Sequence, residues 1–356
     1  MSTNPRSQTG QSGAGVETET VLEAHAPAFS TQEAEAIARR AFDIEASAHP
    51  LDSERDQNFQ LRAKNGSEWV LKIANPAENP ALLDMQTQAL LHIARVDPSL
   101  PIPRVKATPD DASFHEIDGP DGRRFIVRVL SFLPGQLLDD ATLHPALLRD
   151  VGAMAARLAH ALRGFFHPAA RHEVLWDLTQ APALRTRTHH IEEQRRRRVV
   201  EETLDHFDAE VLPQLKMQRA QVIHNDVSEL NTLVNENRVS GVIDFGDLVH
   251  APLVCDLAVP IRELTREHPD PIAAAAEITA GYHAVTALED DELRLIFDLA
   301  CTRCAMEVVI ANWRVRNHPE NTDYIMAGIR ETGAQLDRMR EFGAERMYAA
   351  LRRACG

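Results

Sequence analysis

The sequence predicts an α+β chain of two lobes, a small antiparallel-sheet N-lobe followed by a mainly helical C-lobe. Two textures carry that reading. From Ile44 to Ile73 the chain alternates short β-prone runs with turn signals, and beyond Gly135 most of it holds apolar side chains at helical spacing. The length agrees, since 356 residues exceed one compact domain of about 100–200 residues.

Residues 1–28 are rich in Ser, Thr, Gly and Gln, offer little to bury, and are expected to be a mobile tail. The N-lobe, 29–134, opens with a capping sequence, Ser30 to Glu33, and a helix to about Phe42. Three strands follow in EASAHPL, NFQLRA and EWVLKIA, the last two joined by the Lys64-Asn65-Gly66-Ser67 turn. A helix is expected from about Pro80 to Arg95, because proline suits a first helical turn and the Pro-rich PSLPIPRV stops it. Strands at Ser113 to Ile117 and Arg124 to Ser131, joined by Gly-Pro-Asp-Gly, complete the sheet. Leu133-Pro134-Gly135 reads as a linker into the C-lobe, 135–356. Helices are expected there over about 143–163, 186–212, 253–266, 271–286, 289–316 and 325–353, interrupted by a strand at Gln221 to Ile223 and a hairpin from Asn231 to Asp244.

Composition narrows the function classes. Hydrophobic residues at 44% and charged residues at 26% suit a folded globular chain rather than a disordered one. A net charge of −15 repels phosphate backbones, so no nucleic-acid partner is expected, while cationic small molecules are favoured. The basic run Arg195 to Arg198 does not reverse this, because Glu192, Glu193, Glu201 and Glu202 flank it at helical pairing distance. Four cysteines are too few for a secreted disulfide framework, and Cys301-x-x-Cys304 lies in an apolar helical stretch without a second pair. No apolar run reaches the roughly 20 residues that span a bilayer, so no membrane partner and a cytoplasmic location are expected.

The chemistry concentrates in Val222-Ile223-His224-Asn225-Asp226-Val227-Ser228-Glu229-Leu230-Asn231 and Gly241-Val242-Ile243-Asp244-Phe245-Gly246-Asp247. An apolar strand runs into His-x-Asp, an amide follows five residues after the Asp, and a second buried strand ends in Asp-Phe-Gly. Phosphoryl transfer needs an aspartate at the attacking hydroxyl, oxygen ligands for Mg²⁺, and a lysine on the donor phosphates. Asp226 suits the first role, Asn231 and Asp244 the second. Lys72, the single cation in the apolar strand Trp69 to Ile73, suits the third.

This set resembles the aminoglycoside phosphotransferase and choline kinase superfamily, within the protein kinase-like two-lobed fold, more than the protein kinases. His-Asn-Asp stands for His-Arg-Asp, and no Ala-Pro-Glu or activation segment follows Asp-Phe-Gly before Ala251-Pro252-Leu253-Val254-Cys255-Asp256-Leu257-Ala258. Ser53 to Phe59, Asp84-Met85-Gln86 and Gly246 to Asp256 further resemble hydroxylysine kinase-like enzymes. The resemblance implies transfer of the γ-phosphoryl group of ATP or GTP, with Mg²⁺, to a hydroxyl of a small amine-bearing molecule such as 5-hydroxylysine. Aminoglycoside, choline, ethanolamine and homoserine are the alternative acceptors, and a catalytically inactive nucleotide-binding regulator is the alternative of another class.

Two departures follow from the resemblance. The nucleotide loop, LDSERDQNF, contains no glycine, so Ser53, Arg55 and Asn58 become the candidates for phosphate contact. The carboxylate that pairs with Lys72 is expected to be Asp84, with Gln86 as the alternative on the same helix. The purine is expected against the linker backbone at Ser131, Phe132 and Leu133. Asp177, Arg303 and Glu307 are the acceptor candidates, the two acids for an ammonium and the arginine for a carboxylate.

Overall fold

The computed structural model describes residues 27–356 except 54, 120, 121, 318, 320, 321 and 327. All but the last two residues of the expected tail lie outside the described residues.

Helix α1 (Thr31–Phe42) starts in a reciprocal cap, where Ser30 accepts from the Glu33 N–H and Glu33 accepts from the Ser30 N–H. Its stripe Ala34, Ile37, Ala38, Ala41 and Phe42 lies on a five-stranded antiparallel sheet. The strands are β1 (Ala46–Leu51), β2 (Gln57–Ala63), β3 (Glu68–Ile73), β4 (His115–Asp118) and β5 (Arg124–Ser131), in the spatial order β1-β2-β3-β5-β4. Alternation splits this sheet into two chemistries. Phe59, Leu71, Ile73, Val127 and Val129 face α1, whereas Asn58, Lys72 and Arg128, register neighbours across β2, β3 and β5, share the opposite face.

Helix α2 (Pro80–Val96) lies on that second side, and its buried Met85, Ala89, Leu90 and Ile93 belong to the C-lobe core rather than to the sheet's core. After a short β6 (Gln136–Leu137), α3 (Pro145–Ala161) carries the chain into the helical lobe. The expected helix over 186–212 begins later than predicted. Residues Leu178–His190 wind as 3-10 turns around Pro182, and α4 (Gln194–His206) continues through a π turn, Phe207–Val211, into α5 (Leu212–Leu215). The arginine run lies on α4, and its partners come from elsewhere: Arg196 pairs with Asp337 at 2.9 Å and Arg197 donates to the Ile191 carbonyl.

Strand β7 (Ala220–Ile223) leads to the hairpin β8 (Thr232–Asn235) and β9 (Arg238–Val242). A further strand, β10 (Val249–Pro252), was not predicted. It pairs antiparallel with β7, Val249 opposite Ile223, and so is defined by a partner 26 residues upstream. Helices α6 (Val254–Thr265), α7 (Pro271–Val285) and α8 (Asp290–Asn317) add much of the C-lobe core. Helices α3 and α7 cross with backbones in contact, since a Cβ at Gly152 would fall 1.9 Å from the Ile278 carbonyl oxygen and one at Gly281 1.9 Å from that of Arg149. The single helix expected over 325–353 is three: α9 (Thr322–Ile325), α10 (Ile329–Phe342) and α11 (Ala344–Cys355), broken at Gly328 and Gly343, whose φ values are 77° and 73°. Cys301 and Cys304 are buried in α8, burial raises both thiols, and among the described residues no cluster of metal-ligating side chains occurs.

Candidate active site

The loop after β7 is held rigidly from below. His224 and Asn225 are fully buried, and Asn225 adopts a left-handed φ of 65°. Asp256, at the start of α6, accepts the Asn225 N–H at 2.8 Å, and His224 Nδ1 accepts the Asp226 N–H at 3.3 Å. Burial lowers the imidazole to about 4, so the ring is neutral and carries its proton on Nε2. Phe245 packs edge-on against it with ring centroids 4.7 Å apart, which links this loop to the Asp-Phe-Gly turn.

The turn brings three acids and an amide together. Asn231 Nδ2 donates to Asp226 Oδ2 at 2.5 Å and to the Asp226 carbonyl at 3.2 Å. The Ile243 N–H donates to the Asn231 carbonyl at 2.9 Å, so the β8–β9 hairpin returns Asp244 to the same place. Asp244 has a φ of 56°, and its Oδ1 accepts the Gly246 N–H at 2.9 Å. The two aspartates are driven apart electrostatically. Burial, then the negative charge of Asp247, raises the Asp226 carboxyl well above the ordinary aspartate range against the pull of Arg303. Asp244 is exposed to the cleft, and against the desolvation of its carboxyl Lys72 and Arg55 hold it below that range. Divergent environments of this kind separate a proton acceptor from a permanent anion. The free Asp244 oxygen and the Asn231 side-chain Oδ1 are hard donors, few in number, as Mg²⁺ requires when phosphates and waters complete its shell.

Across the cleft Lys72 does not meet Asp84. Its Nζ pairs with Asp56 Oδ2 at 3.7 Å, while Asp84 Oδ2 accepts from His167 Nε2 at 3.1 Å and Gln86 Oε1 accepts from Arg128 Nη1 at 3.0 Å. The helix acid is thus occupied by the C-lobe histidine, and the lysine takes its carboxylate from the nucleotide loop. In that loop Arg55 reaches Asp247 Oδ1 at 3.1 Å, Ser53 is exposed, and Asn58 Oδ1 is buried without a partner. The Ser131 hydroxyl accepts the Arg104 N–H at 2.8 Å, so it is turned into the sheet. The Leu133 side chain lies over Gly241, where an added Cβ would be 2.9 Å from its Cδ1.

The acceptor candidates divide. Arg303, 6% exposed, donates Nη1 to the Trp176 carbonyl, has its guanidinium 5.0 Å from the Trp176 ring centroid, and acts on the charge of Asp226. Asp177 is buried and caps the 3-10 stretch, accepting from the Thr179 N–H at 2.9 Å and its hydroxyl at 2.6 Å. Glu307 is not open to an ammonium. Arg262 binds it and the Thr332 hydroxyl donates to it at 3.2 Å, so it ties α8 to α6 and α10. Sequence reasoning missed Asp56, Asp247 and Asp256. The last two stand in the Gly246 to Asp256 stretch, where their spacing from Asp244 was the available signal.

This geometry defines a two-lobed phosphotransferase, and the chain belongs to the phosphotransferase enzyme family, which it matches over residues 47–295. It is a small-molecule kinase acting on a hydroxyl acceptor. The chain is 30% identical to hydroxylysine kinase of Danio rerio over 334 residues, 90% of this chain and 94% of that one. It is 29% identical to the Mus musculus hydroxylysine kinase over 342 residues, 89% and 91% of the two chains. Among solved structures, an amicoumacin kinase in complex with AMP-PNP, Ca²⁺ and Ami superposes with a TM-score of 0.67 at 14% identity, covering 92% of this chain and 99% of that one. A microcompartment-associated aminopropanol kinase gives 0.65 at 16% identity, covering 90% and 100%. Among the described residues no helix is long and apolar enough to cross a membrane.

Proposed function

We propose that this kinase transfers the γ-phosphoryl group of ATP or GTP to the hydroxyl of a hydroxylated amino acid, 5-hydroxylysine being the first candidate. The observation that carries the reading is the position of Asn231, whose Nδ2 donates to Asp226 Oδ2 and whose backbone carbonyl accepts the N–H of Ile243, the residue before the anionic Asp244. Asp226 takes the proton of the attacking hydroxyl or orients it. Asn231 and Asp244 hold Mg²⁺, which neutralises charge on the phosphates when bound. Lys72 contacts the donor phosphates after leaving Asp56, and the nucleotide loop lies over them through Ser53, Arg55 and Asn58. The linker backbone at Ser131 and Leu133 borders the purine, and the Leu133 N–H supports this because, among the described residues, it makes no hydrogen bond.

Arg303 supports an amino-acid acceptor over choline or ethanolamine. It is a buried guanidinium beside the base, and among the described residues no carboxylate lies within ion-pair distance of it. The hydroxylysine kinases among the relatives point to the same substrate class. The test is kcat/KM for 5-hydroxylysine, homoserine, choline, ethanolamine and kanamycin with both donors. The amino acids are expected to lead, and a preference for choline or kanamycin by more than about tenfold, near 1.4 kcal/mol, would remove the amino-acid reading.

Lys72→Met keeps most of the apolar stem and deletes the charge. It is expected to raise the nucleotide KM or depress kcat by about tenfold or more, with melting shifted by only a few degrees, since the partly exposed Asp56 pair contributes about 1 kcal/mol at most. Unchanged kinetics would mean that the lysine does not meet the nucleotide.

A further inference from the structure

Arg128 is a buried cation for which the fold provides no counterion. It lies on β5, is 3% exposed, and among the described residues no carboxylate stands within ion-pair distance of it. Only Nη1 is hydrogen-bonded, to the Leu83 carbonyl at 3.3 Å and to Gln86 Oε1 at 3.0 Å, both on α2. Nε is shielded from solvent and has no partner. A guanidinium has five donors, and leaving a buried charge unpaired is among the costliest arrangements a fold can hold.

Its position says where the missing anion belongs. Arg128 is the direct register neighbour of Lys72 across β3 and β5, so both side chains leave the same face of the sheet. The nearby carboxylates of Asp56, Asp244 and Glu78 act on its charge, and the same Asp244 is acted on by Lys72 and Arg55. Lys72 and Arg128 thus leave neighbouring strands on one face of the sheet, and Arg55 from the nucleotide loop comes close to Asp244, since a Cβ at Gly246 would lie 3.0 Å from Asp244 Oδ1 and 3.3 Å from Arg55 Nη2. A tie to α2 alone would need only the Nη1 bonds, and a neutral side chain could make them without the cost of a buried charge.

We propose that Arg128 is a second phosphate-binding cation of the nucleotide site, standing beside Lys72 and meeting the polyphosphate through Nη2, which has no hydrogen bond among the described residues and, unlike Nε, is not shielded from solvent. The inference rests on the nucleotide-dependent reading above, and the test separates the two. Binding of ATP and adenosine, with GTP and guanosine in parallel, is measured by calorimetry for the wild type, Arg128→Met and Arg128→Lys. Arg128→Met is expected to weaken the triphosphate by about tenfold or more and the nucleoside by less than about twofold, with partial recovery in Arg128→Lys. If Arg128→Met does not fold, Gln86→Leu, which removes the side-chain anchor of Nη1 and keeps the charge, is expected to weaken the triphosphate about threefold and leave the nucleoside unchanged. Equal weakening of triphosphate and nucleoside, or an unaltered triphosphate Kd, would reduce Arg128 to a structural tie. A wild type that binds neither triphosphate would instead overturn the nucleotide reading and this inference with it.

Discussion

Asp226→Asn is expected to lower kcat by about 10²–10⁴, the range of positioned acid–base groups, with nucleotide affinity nearly unchanged. The substitution is close to isosteric, and Asn231 Nδ2 can still donate to the remaining side-chain oxygen, so the loop geometry held by Asp256 and His224 should persist. What disappears is the negative acceptor at the hydroxyl. Steady-state kinetics on the preferred acceptor, paired with a nucleotide titration, separates the two effects. Turnover surviving within a few fold would show that Asp226 neither accepts nor orients the transferred proton.

Asp244→Ala is expected to abolish Mg²⁺-dependent turnover, because Asp244 is the only full anion of the proposed ligand pair. Its backbone is left-handed at a φ of 56°, where alanine costs about 1 kcal/mol more than asparagine or aspartate. Asp244→Asn is therefore the cleaner companion, keeping the loop conformation and removing the charge. Both proteins should melt within a few degrees of wild type, and rate against Mg²⁺ concentration should show no saturable activation. Full Mg²⁺-dependent turnover in Asp244→Asn would exclude that carboxylate as the metal ligand.

Local signals made the chemistry legible because phosphoryl transfer demands particular residues at short spacings. Asp226 and Asn231 lie five residues apart on one loop, and Asp244 ends the strand that returns to them, so a single stretch of about twenty residues encodes their meeting. Strand and helix types followed from periodicity for the same reason. The capping box at Ser30 and the alternation around Lys72 are contacts within a few residues of one another or across neighbouring strands. Not every failed expectation has a local cause. Strand β10 exists because β7 offers it an edge, whereas the final helix divides at Gly328 and Gly343, whose positive-φ backbone is a local feature.

The sequence by itself determined the two-lobed α+β organisation, the kinase class and the loop residues proposed to carry the chemistry, since each rests on a local pattern. Only the tertiary structure decided which charges are paired. Asp84 and Asp56 are both acids within reach of Lys72 along the chain, yet His167 from the other lobe occupies one and leaves the other to the lysine. Glu307 is paired with Arg262 from α6, whereas Arg303, one turn earlier on the same helix, donates to the Trp176 carbonyl and has no carboxylate within ion-pair distance among the described residues. Ion pairs depend on distances of a few ångströms and on exclusion of water, and both are set by how elements far apart in the chain pack together.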